Sequence, residues 1–251
     1  MKVTILCNDV AKEGFLAEHG LSLLIDEETL FDTGQINATY ENAKRLNVDF
    51  SKIKRIFISH GHYDHIGGLT RIIKYMNKPK LYIYRKALVP KYSGKKYVGF
   101  SGDWTEIERL AEIVFIGHQT HLDGFEIISK INTDVSIIDD KFTVGEEKDT
   151  FDDELNLFKD GVLFTGCAHR GVEYVFQEAL SRGYDVKVVV GGFHLIDASQ
   201  ERIVKIAELF KKHNVKVIPL HCSGERATEV FKSYLGDNCL IYKAGDSFEL
   251  F

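Results

Sequence analysis

No run of apolar residues in this 251-residue chain is long enough to cross a bilayer. The short stretch Val3-Thr4-Ile5-Leu6-Cys7 meets Asn8-Asp9 before it could serve as the core of a signal peptide. Cysteine is scarce. Cys7, Cys167, Cys222 and Cys239 form no CxxC pair and no regular framework, which weighs against a disulfide scaffold and places the chain in a reducing, cytoplasmic setting. Positive charge has no surplus either: 32 Lys and Arg face 37 Asp and Glu, net -5, and a nucleic-acid partner would favour a basic face. There are only three prolines, and no Pro/Ser-rich linker or break in composition separates the halves. A single domain over residues 1–251 is therefore expected, long enough to bury a substantial core.

What is present is patterned. Val3 to Cys7, Leu21 to Ile25 and Thr29 to Phe31 read as strands, the last two joined as a hairpin across Asp26-Glu27-Glu28. Asn37 is placed to cap a helix running to Leu46, and strands are expected at 56–58, 81–84, 113–116, 125–128 and 135–138. Residues 89–104 have no clean period and read as a long loop carrying lysines and tyrosines. Strands 155–158 and 162–165 flank Asp160-Gly161, a strong two-residue hairpin signal. Beyond them, strands at 186–190 and 215–218 alternate with helical stripes of Val172/Val175/Phe176/Ala179, Ile203/Ile206/Ala207/Phe210 and Ala227/Val230/Phe231/Tyr234. Strands first, then strand–helix alternation, in both halves, suggests two sheets packed together with helices outside.

The densest chemistry lies in His60-Gly61-His62-Tyr63-Asp64-His65, between the apolar run Ile56-Phe57-Ile58 and the glycines Gly67-Gly68. Four potential metal ligands occupy six residues, on the loop that leaves a strand and enters a helix. A rigid strand end can hold such side chains while their tips stay open. Imidazole and carboxylate donors suit zinc, or iron and manganese where those ions are available. A polar surface loop has no use for this density of histidine. His169, His194 and His221 stand at the ends of three further strands, where side chains on one side of a sheet converge. His19, His118, His121 and His213 lack that setting and read as solvated or structural, although His118 and His121 lie in a loop that could reach the site. His213 falls at a helix C-terminal end, where an imidazolium suits the dipole.

The pattern His60-x-His62-x-Asp64-His65 followed by Gly67-Gly68 resembles the signature of the metallo-β-lactamase superfamily, and the resemblance covers nearly the whole chain. It implies an α+β fold, the four-layer αββα sandwich, with a metal site at one edge of the two sheets. Phe31-Asp32-Thr33-Gly34 matches the family's first motif, whose Asp supports the site by hydrogen bonding, and Ile218-Pro219-Leu220-His221 matches the last. Gly166-Cys167-Ala168-His169-Arg170-Gly171, Gly192-Phe193-His194-Leu195, His221-Cys222-Ser223-Gly224 and Asp153-Glu154-Leu155 together resemble the branch of dihydropterin–ribofuranosylaminobenzene phosphate synthases.

The resemblance implies two divalent metal ions, His60 and His62 holding one and Asp64, His65 and His221 the other. No histidine matches the family's usual third ligand of the first metal, and His169 is the substitute. Cys167 occupies the position of the family's bridging acid, as a ligand or as an inert buried thiol. His194 is an extra feature, assigned to acid/base work or substrate contact beside Asp64. Oxygen-reducing diiron relatives carry Glu where this chain has His62, which favours zinc and leaves manganese or iron as alternatives.

Two such metals can activate a water and polarise a phosphoryl or carbonyl oxygen, so a hydrolase of a small anionic, phosphate- or diphosphate-bearing substrate is expected. Lys91, Lys95, Lys96 and Arg170 could neutralise the anion, and Tyr92, Tyr97 and Trp104 could stack on a planar ring; a solvated charged loop would look the same. The branch implies a runner-up, a transferase joining a dihydropterin methyl diphosphate to an aminobenzene ribose phosphate with diphosphate release. A ligand-sensing module without turnover is the third reading.

Overall fold

The computed structural model describes residues 1–251 as two compact units. The first comprises Met1–His118, Asp140–Asp149 and Lys243–Phe251, and the second Gln119–Asp139 and Thr150–Tyr242. Strands and helices are numbered in chain order.

The first unit is built on seven strands, β1 (Lys2–Cys7), β2 (Ser22–Ile25), β3 (Thr29–Phe31), β4 (Arg55–Phe57), β5 (Lys80–Ile83), β8 (Glu112–Phe115) and β17 (Ser247–Glu249). They lie in the order β17-β1-β2-β3-β4-β5-β8, antiparallel as far as β3 and parallel from β3 to β8. Parallel pairing needs crossovers. These are α1 (Ala38–Arg45), the short turns α2 (Tyr63–Ile66) and α3 (Leu69–Ile72), and α4 (Trp104–Leu110). Leu24, Leu30, Ile56, Ile58, Leu69, Ile72, Leu81, Ile83 and Ile107 join in one buried cluster, so helices and sheet share a core. Asn37 stands at the N-cap of α1, as expected, but its side chain makes no cap; its Oδ1 instead accepts from Arg71.

Residues 89–104 are not the loop that their lack of period suggests. They contain the hairpin of β6 (Lys91–Ser93) and β7 (Lys96–Tyr97), which joins β11 (Phe142–Val144) and β12 (Glu147–Lys148) in a small sheet ordered β12-β11-β6-β7. Two- and three-residue strands carry too few side chains to show an alternation. Their base is instead fixed by a buried ion pair, Lys91 Nζ to Asp149 Oδ2 at 2.6 Å, which takes Lys91 out of any role on a substrate.

The second unit carries the sheet β16-β15-β14-β13-β10-β9, made of β9 (His121–Leu122), β10 (Phe125–Ser129), β13 (Leu155–Lys159), β14 (Val162–Thr165), β15 (Val188–Gly192) and β16 (Lys216–Leu220). Asp160 at φ 47° and Gly161 at φ 81° make the tight β13–β14 turn that the Asp-Gly pair signals. Helices α5 (Val172–Ser181) and α6 (Gln200–Lys212) bury the stripes expected of them, while α7 (Glu225–Leu235) buries Ala227, Phe231 and Leu235 and keeps Val230 and Tyr234 half-buried against the same core. Phe176, Phe210, Phe193 and Phe231 meet there, with ring centroids 5.3–6.2 Å apart. The strand expected at 135–138 is instead a 3-10 turn, Val135–Ile137, because the Asp134 side chain accepts from the Ser136 amide and closes it. No helix is long and apolar enough to cross a membrane.

Candidate metal centre

In the first unit Asp32 organises the histidine loop. It follows β3 with φ 60°, a left-handed conformation that aims its wholly buried carboxylate across the end of β4. Oδ1 accepts from the Ser59 amide at 2.7 Å, and Oδ2 accepts from Ser59 Oγ at 2.7 Å and from His65 Nδ1 at 2.6 Å. These bonds fix two imidazole tautomers. His65 spends its Nδ1 proton on the carboxylate, so its lone pair is on Nε2. Ser59 has one hydroxyl proton and gives it to Asp32, so toward His60 Nδ1, 2.9 Å away, it can only accept, and His60 too carries its lone pair on Nε2. One carboxylate thus leaves both rings with Nε2 as the nitrogen that could hold a metal, as outer carboxylates orient metal-binding histidines in general.

The rings stand close. His60 lies 4.6 Å from His62 and 4.3 Å from His65 between ring centroids, and His60, His62, Asp64 and His65 are all buried. Glycine is required around them for space. A Cβ on Gly61 would stand 2.0 Å from the Ala87 carbonyl oxygen, and one on Gly68 2.0 Å from that of Thr33. Thr33 in turn binds the His65 carbonyl through both its amide (2.7 Å) and its hydroxyl (2.9 Å).

His19, expected to be solvated or structural, is half-exposed beside this loop. Its Nε2 is 3.3 Å from Asp64 Oδ2 and its Nδ1 2.9 Å from Asp9 Oδ2. No motif or period marks it; only the path of the chain between β1 and β2 brings it there. His118 is exposed, His121 pairs with Glu126, and His213 stands at the C-cap of α6, its ring edge-to-face with Phe176.

The second unit gathers its donors at one end of its sheet. β14, β15 and β16 are parallel and in register, Thr165 beside Gly191 and Gly191 beside Pro219, so residues just past each strand emerge side by side. His169 lies 4.1 Å from His194 between ring centroids and stacks on Phe151 at 3.8 Å. Cys167 and Cys222, both buried, bring their sulfurs to 3.2 Å, and the His194 amide donates to Cys222 Sγ at 3.3 Å. Burial works to raise the Cys222 thiol, but the Cys167 contact, His221 and His194 outweigh it and hold it well below its usual range. Ala168, His194 and His221 all have φ near +50°, a cost of about 1 kcal/mol or more each, concentrated at these strand ends.

Glu154 braces the Gly166–Gly171 loop. It is buried, accepts from the Arg170 amide at 3.0 Å and from Asn156 Nδ2 at 3.2 Å, and burial pushes its carboxyl up to about 7. Arg170, expected as a substrate ligand, is otherwise engaged. Its guanidinium donates to the carbonyls of Ile131 and Thr150 and to Asp152, because it ties down the neighbouring chain. Lys95 is exposed at the β6–β7 turn, whereas Lys96 Nζ is 3.1 Å from the Tyr63 hydroxyl, directly on the histidine loop. Trp104 packs edge-on to Phe100 and donates to Glu108, while Tyr92 and Tyr97 pack edge-to-face on each other.

The chain is similar to proteins already known. A sequence profile of the metallo-beta-lactamase superfamily matches residues 18–179. An uncharacterised protein of Methanocaldococcus jannaschii, MJ0448, is 30% identical over 235 residues, covering 90% of this chain and 91% of its own. The 7,8-dihydropterin-6-methyl-4-(beta-D-ribofuranosyl)-aminobenzene-5'-phosphate synthase of the same organism is 32% identical, with 92% of this chain and 90% of that protein aligned. Among solved structures, Tm1679, described as a metal-dependent hydrolase of the beta-lactamase superfamily, superposes with a TM-score of 0.88 at 34% identity, covering 100% and 99% of the two chains. With the profile spanning the histidine loop and these relatives matched along almost their full length, the chain belongs to the metallo-β-lactamase superfamily and has its α+β fold.

Proposed function

We propose that this chain is a metal-dependent hydrolase of a small anionic substrate, working as one domain over residues 1–251. The observation that carries the reading is the Asp32–Ser59 relay, which leaves Nε2 of both His60 and His65 as the ligating atom. Its kinship to a metal-dependent hydrolase at 34% identity supports the reaction class.

The proposed metal ligands are His60, His62, Asp64, His65, His169 and His221, with Cys167 at the position of the bridging acid. Two divalent ions are inferred, zinc before manganese or iron, because imidazole predominates among the donors. When bound, they supply Lewis-acid polarisation of a phosphoryl or carbonyl oxygen and an acidified water. The protein orients and moves protons around that chemistry. Asp64 accepts a proton at Oδ2, and His19, 3.3 Å away and itself held by Asp9, is positioned to pass it outward. His194, half-buried next to His169, is assigned to protonate the leaving group. Lys96 supplies positive charge at the rim, with Lys95 as the more exposed second cation. The four free cysteines suit a reducing, cytoplasmic compartment.

The test is metal content of protein purified without added metal, followed by turnover of phosphodiesters and phosphomonoesters before and after chelation. About two equivalents of zinc with chelator-sensitive cleavage is the expected result. Absence of metal after reconstitution would overturn the reading.

One observation favours a second reading: the synthase relative aligns with 92% of this chain at 32% identity. In that case an arylamine displaces diphosphate from a dihydropterin methyl diphosphate. Diphosphate release that depends on both an aminobenzene ribose phosphate and the dihydropterin, with no cleavage of simple esters, would establish the transferase in place of the hydrolase.

A further inference from the structure

We infer that Cys167 and Cys222 ligate the metal as a pair, making with His221 a three-donor, two-thiolate set that selects a soft divalent ion such as zinc over manganese. The donor atoms of Cys167, His221 and Cys222 all lie within 4.8 Å of one another, and so do those of Cys167, His169 and His194, with Cys167 common to both groups. The inference rests on the reading of His221 as a ligand and deepens it by naming the sulfurs.

Four features support a ligand pair over two inert thiols. The sulfurs are 3.2 Å apart, with a donor atom of His221 within 4.8 Å of both and those of His169 and His194 within 4.8 Å of Cys167, whereas an inert buried cysteine packs as a small hydrophobe. The backbone amide of His194 points at Cys222 Sγ at 3.3 Å, a donor that stabilises negative charge on sulfur. The approach is built into the chain, since a Cβ on Gly192 would stand 2.7 Å from Cys222 Sγ and a glycine there leaves the sulfur its place. Strand register supplies the rest: β14 delivers Cys167 and β16 delivers His221 and Cys222 past the same sheet end.

The size is right for zinc. With Zn–S bonds of about 2.3 Å in a tetrahedral site, two sulfurs stand about 3.8 Å apart. Loading therefore requires the observed pair to separate by roughly half an ångström, within reach of side-chain rotation. Two cysteines and one histidine fill three positions of a tetrahedral zinc site. Thiolates bind manganese poorly, so the pair biases metal choice where histidines alone would not.

The test uses the full chain reconstituted with cobalt(II). The expected spectrum has visible ligand-field bands together with a near-ultraviolet thiolate-to-cobalt charge-transfer band. Cys167→Ser and Cys222→Ser each lose about half of that band, and Cys239→Ser, placed away from the sheet end, retains it. X-ray absorption of the zinc-loaded wild-type chain, which needs no variant to fold, is expected to show two sulfur neighbours per chain, an average of about one per zinc when two ions are bound. Ligand-field bands without charge transfer, or fewer than two sulfurs per chain at zinc, would overturn the thiolate pair and leave the histidine metal centre standing. Failure to bind cobalt or zinc at all would overturn both.

Discussion

Replacing Asp32 by Asn changes one oxygen to an amide nitrogen and should invert the tautomers of His60 and His65, two of the proposed metal ligands. If Asn Oδ1 keeps the 2.7 Å bond from the Ser59 amide, its NH2 group takes the place of Oδ2, which now accepts from Ser59 Oγ and His65 Nδ1. The amide donates to both. His65 Nδ1 must then accept, placing its proton on Nε2, and Ser59, with its hydroxyl proton released, donates to His60 Nδ1 and does the same there. The metal-free protein loses little, because the bond from the Ser59 amide is kept, the other three are reversed and none is broken. Metal binding must restore both tautomers against two misdirected hydrogen bonds, at about 1–1.5 kcal/mol each, or 2–3 kcal/mol in all. That corresponds to a roughly 30- to 150-fold weaker metal affinity. Competition against a chromophoric chelator reads the affinity, and thermal melting of the metal-free chain reads the fold. Ser59→Ala breaks only the relay to His60, so about half the free-energy loss is expected. An Asp32→Asn chain that binds metal within about threefold of wild type would refute the tautomer argument.

Four further outcomes follow from named contacts. The Glu154 carboxyl is raised from 4.5 to about 7 by burial, so its contribution to stability is fully present below 4.5 and is lost as pH rises through 7. The difference in unfolding free energy between wild type and Glu154→Gln, measured on the metal-free chain by urea titration, should change by about 3 kcal/mol across that window; a flat difference would contradict it. Lys91→Met leaves Asp149 buried without its lysine and should cost about 3–5 kcal/mol, most of it recovered in Lys91→Met with Asp149→Leu, as denaturant midpoints would show. Lys96→Ala should raise KM for an anionic ester severalfold while kcat holds, and a loss confined to kcat would remove Lys96 from substrate binding. His19→Gln should lower kcat without changing metal content, whereas loss of metal would make His19 a ligand and not a proton carrier.

What could be read from the sequence was whatever is local. The β13–β14 turn needs only Asp160-Gly161, the helical stripes need only spacing, and the histidine loop needs only six consecutive residues. Each of these appears in the structure where the sequence places it. The small sheet was hidden because strands of two or three residues show no alternation and because its pairing of residues 91–93 with 142–144 spans some fifty positions. The protein partners of Arg170 and Lys91 were hidden for a related reason. A cation has the same one-letter code whether it meets a substrate or a buried partner, and only the fold supplies Ile131 to one and Asp149 to the other.

Asp32 and His19 show the same limit from the side of function. Family resemblance indicates that Asp32 supports the site, but the means, a single carboxylate setting two tautomers through one hydroxyl, exists only as a set of distances below 3 Å. The preparation of a metal site therefore resides less in the ligands than in the groups that determine which nitrogen each ligand offers. Substituting a ligand removes one bond to the metal; substituting Asp32 misdirects two while leaving all the ligands present. A chain that kept His60, His62, Asp64 and His65 but lost Asp32 would retain the family signature and lose much of its metal affinity.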